Sequence, residues 1–269
     1  MAQQPGKCLG TGGTASVYEW GDSEAVKVFH PHVPDESIEY EVSIASRLMG
    51  LPVKAAHFRR TVTLYGRTAI VYARAHGNSM SEALFRGQDM EGLAHDFASL
   101  HAEIHRVTAN GLFPPLHERL ARKIASARIV LGSKADQAIR LLAEIPEGGS
   151  LCHSDFHPLN ILVDGGKYTV IDWNDCCAGN PAIDAAWAVL ILRSPAIGQA
   201  FGEQAERMAR AFSSRYLEHY EALTGITGEQ VLACLPVLAA RRAADNASGA
   251  SAYKEIEAAW LMDLINGND

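Results

Sequence analysis

An aspartate, an asparagine five residues later and a second aspartate twelve residues beyond that form the densest grouping of chemically capable side chains in the chain. The stretch reads His153-Ser154-Asp155-Phe156-His157-Pro158-Leu159-Asn160, and Ile171-Asp172-Trp173 follows after a short apolar segment. Asp155 can accept a hydroxyl proton or orient that hydroxyl. Asn160 and Asp172 are hard oxygen donors of the kind that Mg²⁺ takes beside phosphates. Singly, each residue is better read as capping a turn. Together with two further features they read as a metal-and-base arrangement.

The first of those features is Leu9-Gly10-Thr11-Gly12-Gly13-Thr14-Ala15-Ser16-Val17. Gly10, Gly12, Gly13 and Thr14 would let the backbone approach phosphates and aim N–H groups at them. It is not a Walker loop, because no Gly-Lys-Ser/Thr follows. The second is Lys27 in Ala25-Val26-Lys27-Val28-Phe29. An unpaired lysine is expensive to bury in an apolar strand. Pairing with Glu41 would hold it and leave it aimed at phosphates. Glu39 competes for this role, and Glu41 is preferred for its place on the helix face, seven residues before Leu48. The competing reading of Lys27 is an edge-strand lysine facing water.

These residues need elements to hold them. Alternation predicts strands at 7–9, 17–20, 25–29, 58–64 and 68–72, with turns at Gly21-Asp22-Ser23 and Gly66-Arg67. Asp35 is placed to cap a helix running to about Leu48, with Ile38, Val42, Ala45 and Leu48 on one face. From about residue 75 the pattern becomes helical: 79–85, 90–107, 116–131, 134–145, 182–192, 203–223, 228–245 and 253–265. A hairpin interrupts it, 160–163 and 168–171 around Asp164-Gly165-Gly166-Lys167. Loops are expected at 146–149 and 246–251.

The 269 residues carry 24 basic and 31 acidic side chains, a formal net charge of −7, and 48% are hydrophobic. That composition is globular and excludes disordered and fibrous classes. The acidic balance argues against a nucleic-acid partner. No apolar run approaches the roughly 20 residues that span a bilayer, so no membrane role is expected. Residues 1–10 lack the apolar core of a secretory leader. Five cysteines, with no CxxC pair, suit a reducing cytoplasm better than a disulfide framework or thiolate zinc site. Cys152, Cys176 and Cys177 read as small buried thiols. His101 and His105, four apart, could pair on a metal, but ordinary helix packing is the better reading. Glu255, Glu257, Asp263 and Asp269 form an acidic tail, read as a solvated helix face.

The order glycine loop, Lys27, Glu41, Asp155, Asn160, Asp172 resembles the protein-kinase-like fold. Within it the chain is similar to the aminoglycoside phosphotransferase and choline kinase family, from Gly10 to about Ala186. Leu51-Pro52-Val53 and Gly179-Asn180-Pro181-Ala182-Ile183-Asp184 also fit that group. The resemblance implies an α+β, bilobal fold: a small antiparallel-sheet lobe at residues 1–74, binding nucleotide, and a mainly helical lobe at 75–269, holding catalytic and substrate groups. It implies ATP and Mg²⁺ as cofactors, with Asp155 the catalytic aspartate, Asn160 and Asp172 on the metal, and Lys27 on the phosphates, positioned by Glu41. Adenine would dock on the backbone near Tyr72, Ala73 and Ala75. Asp184 would brace the catalytic loop, and His153 would pack beneath it.

The departures narrow the expectation. Ser154 stands where protein kinases have arginine, and His157 where they have lysine. His157 could touch the transferring phosphate or make an orienting hydrogen bond. Ala15 replaces the third loop glycine. Only 11 residues lie between Asp172 and Asp184, too few for a long activation loop. The expected activity is therefore transfer of the ATP γ-phosphoryl group to a hydroxyl of a small molecule, an aminoglycoside or similar cation being compatible with the net charge. The alternatives are a kinase of choline- or sugar-type metabolites, or a non-catalytic nucleotide-binding module on the same fold.

Overall fold

A computed structural model describes residues 3–247 and 254–267. Its contacts divide the chain into two compact units, residues 1–80 with 159–174, and residues 81–158 with 175–269. The chain therefore passes between them three times. The division falls six residues after the expected boundary at 74/75, and the hairpin that carries Asn160 and Asp172 belongs with the first unit.

In that unit β1 (Cys8–Thr11), β2 (Ala15–Trp20), β3 (Glu24–Phe29), β4 (Phe58–Leu64) and β5 (Arg67–Ala73) form one antiparallel sheet in the order β1-β2-β3-β5-β4. Side chains alternate across it. Ala15, Phe29 and Ile70 pack on one side with Val33 and with Ile38 of α1 (Asp35–Leu48), while Trp20, Val26, Ala69 and Val71 form a second cluster. The β4–β5 turn is Tyr65-Gly66, one residue earlier than expected, with φ of 52° and 78°. Positive φ at both positions matches the twist of a two-residue hairpin. Pro34 takes the cap position of α1 without a side-chain bond. Asp35 does not cap: it is the first helical residue, and its carboxylate is held by Arg67 at 2.8 Å.

Further along, β6 (Asn78–Ser79) pairs with β8 (Ile161–Asp164), which pairs with β9 (Lys167–Val170). The β8–β9 turn is Gly165-Gly166, φ 53° and 81°. This hairpin is tied to the rest of its unit by Val170 N donating to Lys54 O. Asn160 lies in a 3₁₀ turn, Pro158–Asn160, rather than in the strand.

The second unit is helical apart from β7 (Ser150–Cys152) paired with β10 (Cys177–Gly179), three residues each and too short to show as alternation. Its helices are α2 (Met80–Phe85), whose first residue belongs to the other unit, α3 (Met90–His105), α4 (Leu116–Ser126), α5 (Arg128–Leu131), α6 (Ser133–Glu144), α7 (Pro181–Leu192), α8 (Ala196–Phe201), α9 (Glu203–Thr224), α10 (Gly228–Leu232), α11 (Leu235–Ala247) and α12 (Lys254–Asn266). Two expected helices are broken. The 116–131 segment parts at Ala127. The 228–245 segment parts at Ala233-Cys234, because Pro236 has no N–H to continue the ladder. The short α8, between Pro195 and Gly202, was not expected. In α7, Asn180 caps Ala182 N at 2.9 Å and Pro181 opens the first turn. Nearly every α7 residue is buried, the mark of a core helix.

Cys152, Cys176, Cys177 and Cys234 are buried and Cys8 is exposed. Burial pushes the Cys177 thiol up to about 11 and the Cys234 thiol to about 12, so both are inert at neutral pH. The solvated reading of the acidic tail fails at Glu257, which is 1% exposed and accepts from Ser194 Oγ (2.6 Å), Arg242 Nε (2.8 Å) and Asn246 Nδ2 (2.9 Å). Glu255 and Asp263 are exposed as expected. Asn246 and Ala247 close α11, while the remainder of the 246–251 loop, Tyr253 and Asp269 lie outside the described residues. Among the described residues no single helix is long and apolar enough to cross a membrane.

Candidate active site

In the first unit, Lys27 lies at the middle of β3, opposite Val17 on β2 and Ile70 on β5. Strand alternation sends it to the side of Phe29, whose ring centroid is 5.5 Å from Nζ. Glu41 shares the buried face of α1 with Ile38, Ala45 and Leu48. Lys27 Nζ donates to Glu41 Oε1 at 2.7 Å and to Asp172 Oδ1 at 3.3 Å. Glu39 is exposed, which settles the partner. Tyr72 Oη donates to the same Glu41 oxygen at 3.3 Å. Burial opposes the charge on Lys27, but Asp172 and Glu41 outweigh it, so the amine stays protonated. The water-facing reading of Lys27 is thereby replaced by a partly buried, doubly paired cation.

The β8–β9 register brings Asn160 to Asp172. Ile161 pairs with Val170, and Ile171 N donates to Asn160 O at 2.9 Å, so Asp172 follows directly on the residue bonded to Asn160. Twelve residues of sequence separation collapse because the hairpin turn is only two residues long. Asp172 has φ 63°, and Asn174 Nδ2 holds its Oδ1 at 2.7 Å. Aspartate is among the few residues that tolerate the left-handed region.

Gly10 in β1 and Gly12, Gly13 and Thr14 between β1 and β2 are all exposed. Gly12 N donates to Ala15 O (2.9 Å), and Thr14 O accepts from His30 N (2.8 Å). A Cβ added at Gly10 or Gly13 would meet nothing within 4 Å, and neither has positive φ. The folded chain itself therefore does not require glycine at either position. Tyr72 and Ala73 lie in β5, where the amides of Ala73 and Arg74 are already spent on His57 O and Ser23 O. Ala75 follows the strand, half-buried.

In the second unit, Asp155 follows Ser154, whose φ is 62°. Among the described residues only Tyr65, Ser154 and Asp172 combine a side chain with positive φ. Two of the three are Asp172 and the residue before Asp155. Such strain costs about 1–3 kcal/mol and needs surroundings that enforce it. Asp184, in the first turn of α7, enforces it at Ser154: Oδ2 accepts His153 N and Oδ1 accepts Ser154 N, each at 2.7 Å. Asp155 Oδ1 accepts Trp187 Nε1 at 3.0 Å, and His157 Nε2 lies 3.4 Å from Oδ2. Burial raises the Asp155 carboxyl, but His157, the Trp187 N–H and His153 outweigh it and hold it well below the usual range.

Asp184 is also the hub of two buried ladders. His101 and His105, one turn apart on α3, each present Nε2 to its Oδ2 at 3.1 Å. Their Nδ1 atoms meet Tyr216 Oη (2.8 Å) and Tyr220 Oη (2.6 Å), one turn apart on α9. Each ring nitrogen thus has a hydrogen-bond partner, which is the helix-packing reading in a polar form. Burial and the neighbouring His105 lower the His101 pKa to about 3, against the pull of Asp184. Unfolded His101 takes up a proton below about pH 6.5, the folded one only near pH 3, so stability is lost as pH falls through that window. Between pH 6 and 4, urea unfolding is expected to show wild-type stability falling more steeply than that of His101→Asn, by about 1.4 kcal/mol per pH unit. Equal slopes would contradict a neutral buried imidazole. Below about pH 4 the depressed Asp184 carboxyl adds its own loss.

Sequence reasoning did not single out Trp187, Arg241 or Asn174. Trp187 was findable, since it lies three residues beyond Asp184 on one helix and so shares its face. Arg241, 87 residues from Ser154, carried no signal.

The architecture is shared with solved structures. The GDP complex of wild-type aminoglycoside 2'-phosphotransferase-IIIa is 12% identical with a TM-score of 0.62, over 100% of this chain and 95% of that one. The streptomycin-ATP-APH(2")-IIa ternary complex is 14% identical with a TM-score of 0.64, over 97% and 92%. A choline/ethanolamine kinase family protein from Mesorhizobium loti is 12% identical with a TM-score of 0.63, over 98% and 88%. The fold is thus the protein-kinase-like α+β fold of small-molecule phosphotransferases. No curated protein matches the sequence. The model of the phosphotransferase enzyme family matches residues 9–226, and the chain belongs to that family. It is a small-molecule kinase.

Proposed function

We propose that the chain transfers the γ-phosphoryl group of ATP to a hydroxyl of a small molecule, with Mg²⁺. The observation that carries this reading is the partly buried Lys27 cation held in place by Glu41 and Asp172. The residues present fit both groups. Open glycine positions at 10 and 13 leave room for a phosphate chain against the backbone. The amide oxygen of Asn160 and the carboxylate of Asp172 are the hard donor set for the metal, which when bound would neutralise phosphate charge.

Lys27 steadies the phosphates, Glu41 holds Lys27, and Tyr72 holds Glu41. Asp155 accepts a hydrogen bond from the acceptor hydroxyl and aims its oxygen. A carboxylate held so far below its usual pKa is a weak base, so orientation is its main work. His157 orients Asp155 in turn, the role its 3.4 Å separation supports. We infer that the acceptor is a small hydroxyl compound, and the net charge of −7 favours a cationic one. Relatives of the same fold crystallised with streptomycin or kanamycin support that class.

Asp172→Ala is expected to remove the Mg²⁺-dependent part of nucleotide binding; a metal titration of ADP affinity identical to wild type would refute the ligand assignment. The function itself is tested by ADP formation with kanamycin, streptomycin, choline, ethanolamine and hexoses, with Asp155→Asn as control. One class should drive ADP formation and gain a phosphate by mass. Nucleotide binding without turnover on any of them would favour the non-catalytic module.

A further inference from the structure

The catalytic-loop carboxylate has a different partner on each oxygen. His157 faces Oδ2, while Oδ1 accepts the Trp187 indole N–H at 3.0 Å. A buried indole N–H needs an acceptor. Trp173 solves this in the ordinary way with a backbone carbonyl, Val170 O at 3.0 Å. Trp187, 3% exposed, uses the Asp155 carboxylate instead. Over its ring, 3.8 Å from the centroid, lies the guanidinium of Arg241 from α11. Arg241 is 9% exposed, and its Nη1 donates to Ser154 O at 2.9 Å. Its Nη2 lies 3.3 Å from Asp175 Oδ2. Arg241 thus grips both things that set the Asp155 side chain: the strained peptide before it and the indole bonded to it.

We propose that Trp187 and Arg241 are positioning residues for phosphoryl transfer, the indole fixing the rotamer of the Asp155 carboxylate and the guanidinium locking indole and loop together. This rests on the reading of Asp155 as the group that orients the acceptor. With Oδ1 held by the indole and His157 facing Oδ2, the plane of the carboxylate is fixed toward the hydroxyl it orients. Small errors in its direction are costly, because the benefit comes from alignment. A cation over the indole face also draws charge from the ring and makes its N–H a better donor. Asp184 holds the loop through the amides of His153 and Ser154, while Arg241 holds it through the Ser154 carbonyl, so the peptides on either side of Ser154 are fixed from two helices.

The test is a mutant cycle read by ADP formation from ATP and Mg²⁺, with water and with the acceptor that the panel above identifies. Trp187→Phe keeps the ring and loses the donor. It is expected to lower kcat about 10- to 100-fold, the worth of a hydrogen bond to a charged group, with ADP affinity unchanged. In an Asp155→Ala background it should cost nothing further, since its effect runs through Asp155. Arg241→Met is expected to show the same split, with part of the rate restored by Arg241→Lys, and it carries the comparison if Trp187→Phe does not fold. Wild-type turnover in Trp187→Phe, or an equal loss with Asp155 already removed, would overturn the proposal. If Asp155→Ala is inactive while Trp187→Phe is fully active, only this inference fails. Full activity in Asp155→Ala overturns the reading of Asp155 and the inference with it.

Discussion

Asp155→Ala is expected to lower phosphoryl transfer about 10²- to 10⁴-fold while leaving nucleotide affinity near wild type. The split follows from where the charges lie. The groups assigned to the phosphates, Lys27 with Glu41 and Asp172, are bonded to one another within the first unit. Asp155 is bonded to Trp187 and His157. On the reading proposed above, its removal takes away the hydroxyl's hydrogen-bond acceptor and leaves the Lys27–Glu41 and Lys27–Asp172 pairs in place. Steady-state ADP formation and equilibrium ADP binding, measured on the same variant, separate the two. A parallel loss of binding would mean that Asp155 acts on the nucleotide, and retained turnover would remove it from the mechanism.

The second large effect is expected at Asp184. Its two oxygens serve the amides of His153 and Ser154 and the imidazoles of His101 and His105, and the residue is 1% exposed. Asp184→Ala would strand four buried donors at once. Removing one side of a buried charged network costs about 3–5 kcal/mol, which for a chain of this size lowers the melting temperature by roughly 10 °C. The loop before Asp155 would also relax from its positive φ at Ser154, so turnover should fall with stability. Calorimetry checks the first part. A melting point within 2 °C of wild type, on an order-of-magnitude scale, would contradict the hub.

The pairing of Lys27 with Glu41 and the approach of Asn160 to Asp172 were legible because each rests on a local pattern: a lysine in an apolar strand with an acid on the next helix face, and an Asn and Asp bracketing a hairpin. The sheet was legible because its strands alternate. What was hidden depended on packing between distant segments. Arg241 reaches Ser154 across 87 residues, and Tyr216 and Tyr220 reach His101 and His105 across 115. No local period encodes such contacts. Glu257 was misread for the same reason: its partners Ser194 and Arg242 lie on other segments, and an acid among exposed acids gives no sign of burial. The breaks at Ala127 and Ala233-Cys234 were missed because apolar periodicity continues through them, although Pro236 offered a warning at the second.

The central claim is that this chain moves a phosphoryl group from ATP to a small hydroxyl compound through Asp155. The most direct measurement is transfer of label from γ-labelled ATP, with Mg²⁺, to the acceptor panel, by wild type and by Asp155→Asn side by side. Label recovered on one small molecule with wild type, and left on ATP with the variant, is the expected result. Equal labelling by both proteins, or label that never leaves ATP although nucleotide is bound, would contradict the claim.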